Sequence, residues 1–402
     1  MFGWEFPPMM TGGLGVACEG LVHALSKRND VQITLVLPYK SLTEIKNCSF
    51  VTPYKTISKI KFIETMVSSY DTNESYKQKL QQSERKLMGL SDNNLLDEIK
   101  KYASKVPYLF SKEEFDSFDV IHAHDWLTYL AGVKAKEISG KPLILHIHAT
   151  GFNQSGGMKN QNSEMFKIER ESMMYADKVI AVSNYIKDIL IEHYEINPTK
   201  IEVIHNGVVL DSWEEIEHNI SDNLPHPLIS FIGRITIQKG PLHFIYAAKK
   251  VLEYNPNIYF MLAGTGDMLE ECISKIGELG IQDNFIITKK FVNQKQIKWI
   301  HSHSEVFVMP SISEPFGIVP LEAMSCNVPT IITKQSGVSE ILNHTLKVDF
   351  WDINKMANFM LSVTEYDILN KSLRKHGKSE ASLLTWDLPA QKCVDIYNTL
   401  SR

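Results

Sequence analysis

LISFIGRITIQKGPLHFIYAAKKVLEYNPNIYFMLAGTGDM, residues 228–268, carries the reading of the fold. Leu228–Ile232 and Tyr259–Ala263 are nearly all apolar and too short to be helices. Between them, residues 242–253 return an apolar side chain every three or four positions, just behind Gly240 and Pro241. Strands read as continuous apolar runs when helices cover both faces of their sheet. A strand, a helix and a second strand of this kind form a βαβ unit with parallel strands.

The alternation extends in both directions. Upstream the strand-like runs are 32–37, 120–123, 143–147, 178–182 and 201–204; downstream they are 285–288, 306–309 and 330–333. Helical stretches such as 19–27 and 268–279 separate them. The expected class is α/β with doubly wound parallel sheets. EEIEHNISDNLPHP (214–227) interrupts the pattern with charge, Asn, Ser and two prolines and reads as an interdomain linker. Two Rossmann-like domains are expected, 1–220 and 225–387, each of ordinary domain size. Ligands in such sheets bind beyond the carboxyl ends of the strands, so two facing sheets would put a cleft between the domains. Residues 70–105 are polar, with Leu80, Leu87, Leu90, Leu95, Leu96 and Ile99 at helical spacing. They read as one or two inserted surface helices, either a solvated excursion or an acceptor-binding arm. Only Met1 and Phe2 precede Gly3, so the opening strand reads as truncated.

The chain has 402 residues, 44% apolar and 22% charged, which excludes a disordered or fibrous chain. Lys and Arg number 42 against 47 Asp and Glu, a net charge of -5, so no broad basic footprint for nucleic acid exists. No apolar run approaches the ~18 residues of a membrane span. MFGWEFPPMM lacks the basic start of a signal peptide. Cys18, Cys48, Cys272, Cys326 and Cys393 are scattered and odd in number, which suits reduced thiols and a cytoplasmic location.

Chemistry-bearing residues gather at the strand ends. TGGLG (11–15) precedes a helix expected near Val16; it suits a phosphate or sugar, or is a tight turn. VIHAHDW (120–126) runs a buried strand into His122, His124, Asp125 and Trp126. LHIHATGF (145–152) does the same with His146 and His148. Histidines two apart on a strand share a face. A zinc site could begin this way, but it needs further ligands, and HAHDW lacks the following histidine of a zinc-hydrolase pattern. FIGRITIQKG (231–240) sets Arg234 and Lys239 on one loop, able to converge on a diphosphate or to lie solvated. Gly264 and Gly266 form a turn that could be structural alone. PSISEPFGIVPLEAM (310–324) places Glu314 on a loop, Gly317 at a turn, and Glu322 about one turn into a helix starting near Ile318.

Together these residues resemble the GT-B glycosyltransferases, in particular retaining family 4 and the glycogen and starch synthases. The resemblance runs in order through GWEFPP…TGGLG, HAHDW, HIHATGF, HNGV (205–208), GRITIQKG, AGTGDM and EPFGIVPLEAM. It implies two Rossmann-like domains facing a cleft, with WDLPAQKCVDIYNTL (386–400) similar to a last helix that returns residues 388–402 to the first domain. By resemblance Arg234 and Lys239 bind the leaving diphosphate, and Glu314 lies beside the transferred sugar. Glu322 holds the ribose, His148 contacts the donor sugar, and Asp125 lies near the reacting centre. Gly12, Gly13, Gly264, Gly317, Ile318 and Val319 serve donor binding. The implied activity is retaining transfer of a sugar, glucose foremost, from a nucleotide sugar, ADP- or UDP-glucose, to an oligo- or polysaccharide. No metal or other cofactor is expected, and no DxD pair is present. Glycogen and starch synthases usually carry Lys before the TGGL turn and Asp after it; here Met10 and Val16 stand there, against glycogen synthase itself. A hydrolysing nucleotide-sugar epimerase of the same fold and a degenerate glycan-binding module are the competing readings.

Overall fold

Residues 1–3 join two pieces of parallel sheet. On one side lie β1 (Ile33–Val36) and β2 (Cys48–Val51); on the other lie β3 (Ile121–His124), β4 (Leu143–Ile147), β5 (Lys178–Ala181) and β6 (Ile201–Val203). The Phe2 amide donates to the His122 carbonyl at 2.8 Å, and the His124 amide donates to Phe2 O at 3.1 Å. On the other edge the Gly3 amide donates to Val36 O, and the Val36 amide to Met1 O, each at 2.9 Å. Pairing on both sides fixes the register of these three residues. Across the sheet the order is β2-β1-(1–3)-β3-β4-β5-β6, a doubly wound order that reverses between residues 1–3 and β3.

The second sheet holds β7 (Leu228–Ile232), β8 (Tyr259–Ala263), β9 (Phe285–Ile287), β10 (Val306–Met309), β11 (Thr330–Thr333) and β12 (Leu346–Val348). All pairs are parallel, in the order β12-β11-β10-β7-β8-β9. The reversal falls between β7 and β10. Ile229, Phe231, Phe260 and Leu262 pack with Phe244, Ile245 and Ala248 of the helix Pro241–Tyr254. Pro241 starts that helix where a missing N–H costs nothing.

The computed structural model describes residues 1–7, 10, 12–39, 41, 43–51, 95–156, 163–210, 224–289 and 292–401. The chain divides into two units. The first is Met1–Gly151, Asn160–Ile204 and Trp386–Arg402; the second is Phe152–Lys159 and His205–Thr385. The final helix, Asp387–Leu400, packs on the helix Gly13–Ser26, and Arg28 donates to Gln391 at 2.5 Å. The linker residues 214–223 and residues 70–94, with Leu80, Leu87 and Leu90, lie outside the described residues. The helix Leu95–Ser104 is not a solvated excursion: it buries Leu95, Ile99 and Tyr102, and the Tyr102 hydroxyl donates to Val36 O at 3.1 Å. Among the described residues no helix is long and apolar enough to cross a membrane.

Candidate active site

The loops at the reversal of the second sheet carry Arg234, Lys239 and Glu314. The loop after β7 ends in a short 3-10 turn, Ile237–Lys239, and Gly240 at φ 63° starts the next helix. Lys239 Nζ lies 2.6 Å from Glu314 Oε2, which also accepts from Ser311 Oγ at 3.0 Å. Glu314 is buried, and its main chain is fixed on both sides: its amide donates to Gln335 O and its carbonyl accepts from the Gly337 amide. Arg234 donates to Gln238 Oε1 at 3.1 Å, and buried Gln238 donates to Ser313 O at 3.0 Å. Thus Gln238 holds the arginine loop to the glutamate loop. It was not singled out by sequence, because a lone glutamine in a loop carries no pattern.

Gly317 has φ 98° and starts the turn into the helix Val319–Ser325, with Ile318 as its N-cap. Glu322 lies in the first turn of that helix and is half-buried. Burial pushes its carboxyl up to about 7, against a hydrogen bond from Gln294 and the charge of Lys298. Gly264 plays a packing part. It has φ 145°, and a Cβ there would collide with the carbonyl oxygen of Gly233.

In the first unit, β3 and β4 end in His122, His124, His146 and His148, all buried on one face, with His124 and His146 in register. The rings stack with planes within 28° of parallel and centroids 4.4 Å apart along each strand. Burial lowers all four from the ordinary imidazole value, His148 to about 3, so they are neutral at physiological pH. His122 Nδ1 meets the Tyr397 hydroxyl at 2.7 Å, and His124 Nδ1 meets His148 Nε2 at 3.0 Å. His122, His124 and His146 each bring a ring nitrogen within 4.8 Å of the others, as do the ligand atoms of Cys18, His124 and His148. The rings stack face to face along each strand, while across the strands His124 and His148 meet edge to edge through their ring nitrogens.

Asp125 follows β3 with φ 58° and starts the helix Trp126–Ser139. Its Oδ1 accepts from the amides of His148 at 2.7 Å and Ala149 at 3.2 Å. Burial raises its carboxyl to about 7, against those two bonds. Asp125 therefore ties the end of β3 to the turn that carries His148. The glycine turn lies on the same unit: Gly12 is extended, and the helix begins at Gly13, earlier than the expected start near Val16. That helix end has no side-chain cap and no acid in its first turn. Each unit thus gathers its own residues: Gly12, Gly13, Asp125 and His148 in the first, Arg234, Lys239, Gly264, Glu314, Gly317, Ile318, Val319 and Glu322 in the second.

The comparisons with known proteins point the same way. Residues 76–212 match the model described as Glycosyltransferase Family 4, and 214–379 match Glycosyl transferases group 1. An uncharacterized glycosyltransferase of Methanocaldococcus jannaschii is 27% identical over 99% of this chain and 97% of its own length. Alpha-maltose-1-phosphate synthase of Mycolicibacterium smegmatis is 31% identical over 56% of this chain and 61% of its own. Anabaena HepE, solved in complex with UDP and glucose, superposes with a TM-score of 0.70 at 16% identity, covering 100% of both chains. Its likeness shows the fold. The chain is a GT-B glycosyltransferase of the family 4 kind, which draws on a nucleotide-sugar donor.

Proposed function

We propose that this transferase moves a hexosyl group, glucose foremost, from a UDP- or ADP-sugar to a hydroxyl of an oligo- or polysaccharide, with retention and without a metal ion. The observation that carries the reading is the Lys239–Glu314 pair with Arg234 on the loops at the reversal of the second sheet. Glycosyl transfer builds positive charge at the anomeric carbon and negative charge on the departing diphosphate. Arg234 meets the diphosphate as a fork and Lys239 as a point charge. When Lys239 turns to the diphosphate, Glu314 remains held by Ser311 and its own backbone, beside the sugar. Glu322 accepts from the ribose hydroxyls, and the amides of Gly317, Ile318 and Val319 border the same turn. A relative named for maltose 1-phosphate and a neighbour holding UDP and glucose support glucose as the sugar.

A donor screen tests this. UDP-, ADP- and GDP-glucose are incubated with and without glycogen or maltooligosaccharides, in EDTA, and nucleoside diphosphate release is followed. One donor is expected to release its diphosphate faster with acceptor, with EDTA making no difference, and the first product should keep the donor's anomeric configuration by NMR. Free epimerised sugar without acceptor identifies an epimerase instead. Activity lost in EDTA and restored by zinc would return the histidine stack to consideration as a metal site. An inverted linkage contradicts retention.

Glu322 makes binding pH-dependent in a defined direction. Only the ionised carboxylate is a pure acceptor for ribose hydroxyls, and its folded value is about 7. Affinity for a sugar nucleotide, which has no titrating group in this range, should therefore rise as pH goes from 6 to 8, by up to about ten-fold. Glu322→Gln should flatten the profile. The stability sign is opposite: the folded value lies above the unfolded one, so ionising Glu322 weakens the fold as pH climbs through about 7. Calorimetric titration at both pH values, with equal slopes in both proteins, would refute the assignment.

A further inference from the structure

The turn that leaves β4 is held by two buried carboxylates, only one of which stands in a site pattern. Asp125 takes the amides of His148 and Ala149. The next amide but one, that of Gly151, donates to Glu169 Oε1 at 3.0 Å. Glu169 comes from a different element, the helix Glu164–Tyr175, and is 1% exposed. Its second oxygen, Oε2, accepts from the Tyr194 hydroxyl at 2.6 Å. Tyr194 is fully buried and stacks on Phe166 with ring centroids 4.6 Å apart. Gly151 is closed in from the other side: a Cβ there would strike the end of Met165 and lie 3.5 Å from Glu169 Oε2. Burial pushes the Glu169 carboxyl up to about 8, against the bonds from Tyr194 and Gly151, and a buried polar group is costly unless its hydrogen-bond partners are present. An apolar side chain of the same volume would leave the Gly151 amide and the Tyr194 hydroxyl without this partner, so its loss carries a stability cost as well. What an apolar side chain cannot do is fix the direction in which the chain leaves β4 after His148.

We propose that Glu169, backed by Tyr194, is a positioning residue for the His148 turn: it holds the Gly151 amide at one end of the turn while Asp125 holds the His148 and Ala149 amides at the other. Glu169 touches no reacting atom; it acts through the backbone that aims His148. Its activity arm rests on the transferase reading given above, and a second readout stands apart from activity.

The variants are Glu169→Gln, Glu169→Leu and Tyr194→Phe in the full chain. Glutamine keeps an acceptor for Gly151 and a polar partner for Tyr194, whereas leucine keeps only the volume. Glu169→Leu should lower kcat by roughly ten- to a hundred-fold, the scale of a misplaced catalytic group. KM for the sugar nucleotide should stay within about two-fold, because the diphosphate and ribose residues are untouched. Glu169→Gln should recover most of the loss, and Tyr194→Phe should fall between. Hydrogen exchange followed by mass spectrometry on peptides covering 145–156 should show faster exchange in Glu169→Leu and near wild-type exchange in Glu169→Gln. If Glu169→Leu fails to fold, Tyr194→Phe carries the same comparison. The proposal is overturned if exchange across 145–156 is unchanged in Glu169→Leu or, where that variant does not fold, in Tyr194→Phe. It is also overturned if glutamine loses as much turnover as leucine, or if kcat falls only in step with melting temperature. Should the wild type transfer no sugar from any donor, the transferase reading fails while the exchange experiment still decides the role of Glu169.

Discussion

Lys239→Ala and Arg234→Ala are each expected to cut turnover about 10²- to 10³-fold, the effect of losing one preorganised donor at a developing anion, about 2.7–4 kcal/mol. Lys239→Ala should also lose stability. Lys239 is paired with Glu314 at 2.6 Å, and the glutamate side chain is 7% exposed against 21% for the lysine. Removing the cation leaves the buried carboxylate with its bond from Ser311 but without its counterion, which is destabilising. Water reaching the lysine end reduces that cost below the value for a fully buried pair. Arg234 donates to the neutral side chain of Gln238. Steady-state kinetics well below the melting temperature, with thermal unfolding alongside, separates loss of turnover from loss of stability. Near wild-type turnover in both variants would remove the diphosphate assignment from this loop.

Legibility in the sequence followed burial. β4, β7, β8, β10 and β11 are buried on both faces, so their apolar runs were visible with the correct ends within a residue. The strands that escaped were β2 and β12, both at sheet edges, four and three residues long and only partly buried. An edge strand needs fewer apolar side chains, and CSFV or LKV alone carries no period. The pairing of residues 1–3 on both sides was not legible, because it depends on neighbours distant in sequence. The same division holds at the candidate site. Arg234, Lys239 and Glu314 stood out as charged residues at strand ends, and the structure brings Lys239 and Glu314 into contact. Glu169, Tyr194 and Gln238 did not stand out, since each sits singly in a helix or loop and gains its meaning from a partner distant in sequence. The four histidines were visible as two pairs; their stacking required the register between β3 and β4.

Gly264→Ala is expected to destabilise the second unit by about 3–5 kcal/mol, combining a forced backbone shift with hydrogen bonds lost around it. The resemblance would assign Gly264 to donor binding, but the packing around it makes a separate demand. Its φ of 145° is unfavourable for any side chain. The atom that a Cβ would strike is a backbone oxygen, that of Gly233, which cannot rotate away as a side-chain tip can. Nor can either loop retreat cheaply. The Gly233 amide donates to Ala263 O at 3.0 Å, the Ile235 amide to Thr265 O at 2.9 Å, and the Met268 amide to Ile235 O at 3.0 Å. On its far side the Gly264 amide donates to Thr288 Oγ1 at 2.8 Å. Moving the strand ends apart breaks this ladder and displaces the loop that carries Arg234. Gly277 supplies the contrast. It lies within the helix Leu269–Glu278, and a Cβ there meets nothing within 4 Å, so Gly277→Ala should stabilise by about 0.4–1 kcal/mol. Urea unfolding of both variants, with sugar-nucleotide binding measured on the folded fraction, tests the point. A Gly264→Ala protein with a wild-type unfolding midpoint but lost affinity would show that the glycine is there for the ligand's approach and not for the contact with Gly233.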